Sequence, residues 1–211
     1  MGTIHESRGW AASRRVGVDV YEVRVDALEA PPDPVRVGSL PGPALVTVRD
    51  VREGGARELP VAVRRDLYFE YLPVAGAVDI EARNLEALGD VVEAARRGRV
   101  PVVASFHDFS GVPAWRVIAR VCRQAEEAGA SCVKVAASVS GARDLAALLE
   151  VFDRLRRPAA AMGMGGAVGM ASRLALAASG SCLNYGWLGR SHVAGQWPAA
   201  EMARLLGAMG E

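Results

Sequence analysis

The chain has 211 residues, 25 basic against 24 acidic, for a net charge of +1. That balance excludes the strong field that draws a protein to nucleic acid or to an anionic membrane surface, and no apolar run reaches the ~18 residues of a membrane span. Three widely spaced cysteines, Cys122, Cys132 and Cys182, fit neither a disulfide framework nor a zinc cluster. With a start, "MGTIHESRGW", that lacks a basic stretch followed by an apolar one, they predict a reduced, cytoplasmic protein.

In chain order, short β-branched runs alternate with longer helical ones. Strands are expected at 2–5, 20–25, 44–48, 77–81, 101–106, 132–136, 159–163 and 182–185. The clearest helices are expected at 84–98, 113–129 and 141–157, where apolar residues recur every three to four positions with charges opposite. A last helix is expected at 198–209. Strand–helix alternation of this kind predicts a parallel sheet. Eight units predict a closed (β/α)8 barrel (a TIM barrel) formed by residues 1–211 as a single domain, with an open doubly wound sheet as the rival.

Alternate residues of a strand face opposite sides. Val23 and Val25 share one face of the second strand, so Glu22 and Arg24 share the other. Thr47 and Arg49, Asp79 and Glu81, and Ser105 and His107 form matching pairs on the next three strands. Lys134 has the same parity between two valines. Barrel strands turn their apolar face to the helices, so this polar set points inward and gathers at the C-terminal ends, where barrel enzymes carry their active sites. Unpaired buried charge is costly, so so many inward charges point to function rather than packing.

Lys134 is the only lysine among 25 basic residues. Arginine would serve equally well in a buried ion pair with Glu22, Asp79 or Glu81, but it stays protonated, whereas a desolvated lysine can become a neutral amine that forms a Schiff base with a carbonyl. His107, on the neighbouring strand, is the candidate general acid and base. Glu53 is available to orient it, and Asp108, of opposite parity, is given a structural role. The glycine-rich stretch 161–173, "AMGMGGAVGMASR", follows the seventh strand, where barrels often bind phosphate, but matches no full P-loop. Arg173 ends it and is a candidate carboxylate clamp.

The segments "YEVRVD", "TVRDVREGG", "SFHDF", "CVKVA", "MASRLA" and "AGQ" occur in an order and spacing that resembles the type I 3-dehydroquinate dehydratases over nearly the whole chain. The resemblance implies a (β/α)8 barrel that forms a Schiff base with 3-dehydroquinate and eliminates water to give 3-dehydroshikimate, a step of the shikimate pathway. It implies no metal, no organic cofactor and usually a homodimer. Lys134 matches the imine-forming lysine, His107 the general acid/base and Glu53 the glutamate that orients it. Glu22, Arg24 and Arg49 match residues that hold the substrate's hydroxyl side. Arg173 matches the carboxylate-binding arginine, and Gln196 the glutamine of the loop that closes after the eighth strand. In that loop His192 stands where the family usually has serine, with Ser191 one step earlier, and Ala194 replaces a proline. The competing readings are another Schiff-base barrel, such as a class I aldolase acting on a sugar phosphate, and a barrel that binds a small acid without turnover.

Overall fold

Valine, isoleucine and alanine dominate the short runs between helices, and each run extends into a strand because its outer face meets a helix. The computed structural model describes residues 1–156, 158–191 and 193–210. The strands are β1 (Gly2–Ile4), β2 (Tyr21–Arg24), β3 (Ala44–Thr47), β4 (Ala77–Glu81), β5 (Val102–Asp108), β6 (Cys132–Ser138) and β7 (Ala159–Met164). Two short strands follow, β8 (Gly186–Trp187) and β9 (Trp197–Pro198). Every described pairing is parallel, in the order β7-β6-β5-β4-β3-β2-β1-β8-β9. The helices are α1 (Ser7–Ser13), α2 (Pro34–Gly38), α3 (Val61–Tyr71), α4 (Gly89–Arg97), α5 (Trp115–Glu127), α6 (Ala142–Asp153), α7 (Gly166–Ala178) and α8 (Ala199–Gly210).

Helices α4 and α5 carry the marked amphipathic pattern expected of covers on a sheet. Val91, Val92 and Ala95 of α4, and Ile118, Val121 and Ala125 of α5, turn inward and are buried. They lie over the outward faces of the strands, where Val23, Val46, Val78, Ile80 and Val135 are fully buried. Each such side chain contributes roughly 1.5–3 kcal/mol by leaving water. The opposite parity points into the curled sheet and holds the charges, as alternation requires.

The sheet curls into a barrel, but its ladder is interrupted between β7 and β8. Segment 181–187 crosses that gap. The Cys182 N–H donates to the Ala159 carbonyl at 3.0 Å, the Gly186 N–H donates to the Met1 carbonyl at 3.0 Å, and the Ser181 hydroxyl accepts from the Ala161 N–H at 3.1 Å. This corrects the expected strand at 182–185. Its ladder pairing falls later, at Gly186 and Trp187 against β1, because Ser181 and Cys182 are drawn to the edge of β7.

Other bounds also shift. The expected helix over 84–98 divides into a 3-10 turn, Ala82–Asn84, and α4 beginning at Gly89. The glycine-rich stretch is only briefly a loop: β7 runs to Met164 and α7 starts at Gly166, joined by Gly165 at φ 103°. That backbone conformation favours glycine and makes the sharp strand-to-helix turn possible.

Candidate active site

At the mouth end of the strands lies a cavity of about 390 Å³ lined by Glu22, Arg24, Arg49, Glu53, His107, Lys134, Arg173 and Gln196. These residues come from β2, the segment just after β3 and the 3-10 turn that follows it, β5, β6, α7 and the loop before β9. The parallel register steps the strand residues around the mouth, with His107 opposite Ala136, two residues past Lys134. Ser105 stands opposite Lys134, and Glu81 opposite Ser105. His192, expected in the same loop as Gln196, lies outside the described residues.

Lys134 is 2% exposed, and its Nζ donates to Asp79 Oδ2 at 2.6 Å. The Tyr185 ring lies beneath, its centroid 5.0 Å from Nζ. Burial lowers the ammonium's pKa; the Asp79 carboxylate opposes that, and the Arg49 guanidinium adds to it. The ion pair that a purely structural reading proposed for this lysine is therefore present, yet desolvation prevails and favours release of the proton.

Asp79 also accepts from Arg49 Nη2 at 2.7 Å and from the Ser105 hydroxyl at 2.6 Å. Arg49 Nη1 reaches Glu81 Oε1 at 2.9 Å and Ser105 Oγ at 2.6 Å. Glu81 in turn accepts from Arg64, a buried residue of α3, and from Asn84 Nδ2 at 2.8 Å. Arg49, expected as a hydroxyl-binding residue, thus lines the cavity with both terminal nitrogens already bonded within the barrel. Its main effect on the site is electrostatic, through Lys134 and His107. Arg64 gave no sequence signal, since it lies in "VAVRRDLYFEY", outside the strands and helices expected from the sequence.

His107 Nδ1 stands 3.0 Å from Glu53 Oε2, and the same oxygen accepts the His107 backbone N–H at 3.0 Å. One carboxylate oxygen thus fixes both the chain and the ring. With Glu53 ionised, Nδ1 carries the proton and Nε2 is the acceptor. Burial, then the Arg49 and Lys134 charges, hold the imidazole well below its ordinary pKa, so it is neutral at pH 7. Burial pushes Glu53 up to about 7 against the opposing pull of Arg49. Arg83, just beyond β4, places Nε 3.4 Å from the other oxygen, Glu53 Oε1. Asp108 accepts from the Ser110 N–H at 2.8 Å and forms the turn behind the histidine.

Glu22 accepts from the Thr3 hydroxyl at 2.9 Å and the Thr47 hydroxyl at 3.1 Å, which turn its carboxylate into the barrel. Arg24 makes a bidentate pair with Asp26, at 2.9 and 2.8 Å, and sits on the wall beside Gly54. Arg173 differs from these. It is 4% exposed, its only described hydrogen bond goes from Nη1 to the Tyr185 carbonyl at 3.4 Å, and its Nε has none. Among the described residues no carboxylate pairs with it, and burial brings its pKa down to about 10. Such a guanidinium suits a planar anion such as a carboxylate.

Loop 193–196 lies against the β7–α7 turn. The Gly165 N–H donates to the Ala194 carbonyl at 2.9 Å, and Gln196 is buried with Oε1 facing no hydrogen-bond partner among the described residues. Gly195 has φ 79°, and a Cβ there would sit 2.9 Å from the Gly165 carbonyl oxygen. Tyr185, Met162, Met164 and Phe109 complete the walls and were not singled out by the sequence. Tyr185 had a signal available, since it closes the last expected strand at the mouth end.

Fold and site together define a parallel β/α barrel whose mouth carries a buried amine beside a carboxylate-held imidazole. The sequence matches the family described as Type I 3-dehydroquinase over residues 5–211. The chain belongs to that family. It is 33% identical over 211 residues to a 3-dehydroquinate dehydratase of Listeria monocytogenes, covering 90% of this chain and 82% of the relative. It is 30% identical to a catabolic 3-dehydroquinate dehydratase of Acinetobacter baylyi, over 89% of this chain and 75% of that one. The crystal structure of the 3-dehydroquinate dehydratase of Geobacillus kaustophilus superposes with a TM-score of 0.84 at 29% identity, over 96% of this chain and 84% of that one.

Proposed function

We propose that this chain dehydrates 3-dehydroquinate to 3-dehydroshikimate, acting as a hydro-lyase of the shikimate pathway through an imine on Lys134. The observation that carries the reading is the shared cavity: Lys134 and His107 on adjacent strands, and Arg173, which has no carboxylate partner among the described residues, lining the same space. In this reading Arg173 takes the substrate carboxylate. Glu22 and Arg24 face its hydroxyls, Arg49 tunes the site's charge from the wall, and Gln196 closes over the bound ring, with His192, four positions earlier in the sequence, taken as a further substrate contact.

The neutral Lys134 amine attacks the ketone carbon. A C–N bond forms, and the ketone oxygen departs as water, taking one proton from the amine and one from solvent, to leave a protonated imine, which acts as an electron sink. His107 Nε2 takes a proton from the adjacent carbon, held in the correct tautomer by Glu53. The electron pair moves toward the iminium, and its return expels the hydroxyl, which leaves as water with the proton His107 has just taken. Hydrolysis of the imine restores Lys134 and releases the conjugated ketone.

The aldolase alternative calls for an open phosphate nest after β7. The Gly165 N–H is instead bonded to the Ala194 carbonyl, and loop 193–196 covers that turn, which favours the carboxylate reading. Borohydride added with 3-dehydroquinate should reduce the imine and leave a ligand-sized mass on Lys134. Absence of that adduct, together with no ultraviolet absorbance from a conjugated product, sinks the reading and leaves a binding protein. The same reading takes residues 1–211 as one catalytic unit working as a cytoplasmic homodimer; light scattering on eluted protein checks the dimer.

A further inference from the structure

The Cys132 and Cys182 sulfurs lie 3.6 Å apart. Cys132 opens β6 and is buried, whereas Cys182 is exposed. They meet beside the start of β7. Val133, next to Cys132, pairs with Ala159, and the Cys182 N–H donates to the Ala159 carbonyl. This is the seam of the barrel, where the ladder lapses between β7 and β8 and single bonds from segment 181–182 take its place. A disulfide needs the sulfurs at ~2.05 Å, an approach of about 1.5 Å that two side chains already in van der Waals contact can make.

We propose that Cys132 and Cys182 form a peroxide-reactive dithiol, a modification site that closes the barrel seam with a covalent bond. Cys182 is reached first, since it is exposed. Contact with Cys182, and then burial, keep the Cys132 thiol protonated, so it does not compete for the peroxide and gives up its proton only as it attacks the oxidised Cys182. The Cys182 thiolate attacks a hydroperoxide. An S–O bond forms, the O–O bond breaks, and the departing oxygen takes a proton to become water or an alcohol. The Cys132 sulfur then attacks the Cys182 sulfur. The S–S bond forms, the S–O bond breaks, and hydroxide leaves with the Cys132 proton as water. Both sulfurs are oxidised by one peroxide, and an external dithiol reverses the change. The link joins β6, which carries Lys134, to the segment leading to Tyr185 beneath it.

The test treats the reduced full-length chain with hydrogen peroxide and follows intact mass, non-reducing peptide maps and thermal unfolding. The expected result is a loss of about two mass units and a Cys132–Cys182 peptide, formed at a rate independent of protein concentration. The melting midpoint should rise by about 5 °C or more and return on reduction with dithiothreitol. Cys122→Ser should keep the response and Cys182→Ser abolish it; both side chains are reachable without opening the barrel interior. Stable oxygen addition at Cys182 without a cross-link, bonding through Cys122, or linkage between two chains would overturn the proposal.

Discussion

Replacing Arg173 by methionine should stabilise the protein while damaging its use of substrate. The guanidinium is buried with no carboxylate partner among the described residues, and its pKa falls to about 10 by desolvation. A base whose folded pKa is depressed destabilises the fold wherever it remains charged. The penalty is therefore fully present at pH 7 and is relieved only as pH rises past about 10. The gap from the ordinary guanidinium range corresponds to roughly 3 kcal/mol. Methionine keeps most of the apolar contact, so after some lost packing the variant should gain about 1–2 kcal/mol. The missing charge-assisted bond to a substrate carboxylate should cost about 2–4 kcal/mol, or 30- to 1000-fold in kcat/KM, mostly through KM. Urea unfolding at pH 7 and steady-state kinetics measure the two effects on the same protein. A variant less stable than the parent would show that a group in the fold already pairs with Arg173. An unchanged KM would show that no substrate anion does.

Lys134→Ala should lose activity by at least about 10⁴-fold and lose the borohydride adduct. Asp79 keeps Arg49 and Ser105, so the fold should weaken by no more than about 3 kcal/mol; turnover at the parental rate would refute the amine's role. Because Glu53 titrates near 7 and orients His107 only when ionised, kcat/KM should fall as pH drops below about 7. Arg83 holds that carboxylate charged, together with Arg49 and against Glu81, so Arg83→Ala should move the acid limb of the profile to higher pH. A profile that stays in place would remove Arg83 from the site. Gly195→Ala should raise KM severalfold with stability nearly intact, since its φ of 79° and the 2.9 Å approach to Gly165 displace the loop rather than the barrel. Parallel losses in KM and melting temperature would contradict that.

Alternation in the strands was legible because period two is a property of the extended chain. Once Val133 and Val135 faced the helices, Lys134 had to face inward, and Glu22, Asp79 and His107 followed by the same geometry. Helices α5 and α6 were legible for the corresponding reason, since one apolar stripe must be covered. Short pieces lacked such a signal. Helix α2 spans five residues, and strands β8 and β9 span two each, defined by their partners rather than by their own pattern.

By itself the sequence determined which residues enter the barrel and at which end they gather, because both follow from periodicity and chain order. Only the tertiary structure decided which charges neutralise one another. Arg49 is drawn to Asp79 and Glu81, Arg64 reaches Glu81 from a helix, and Arg173 is left beside the cavity with no carboxylate partner among the described residues. Those outcomes depend on distances of a few ångströms between residues 17 to 32 positions apart. They also depend on the depth of burial that sets the strength of each charge, and neither is a property of the local chain.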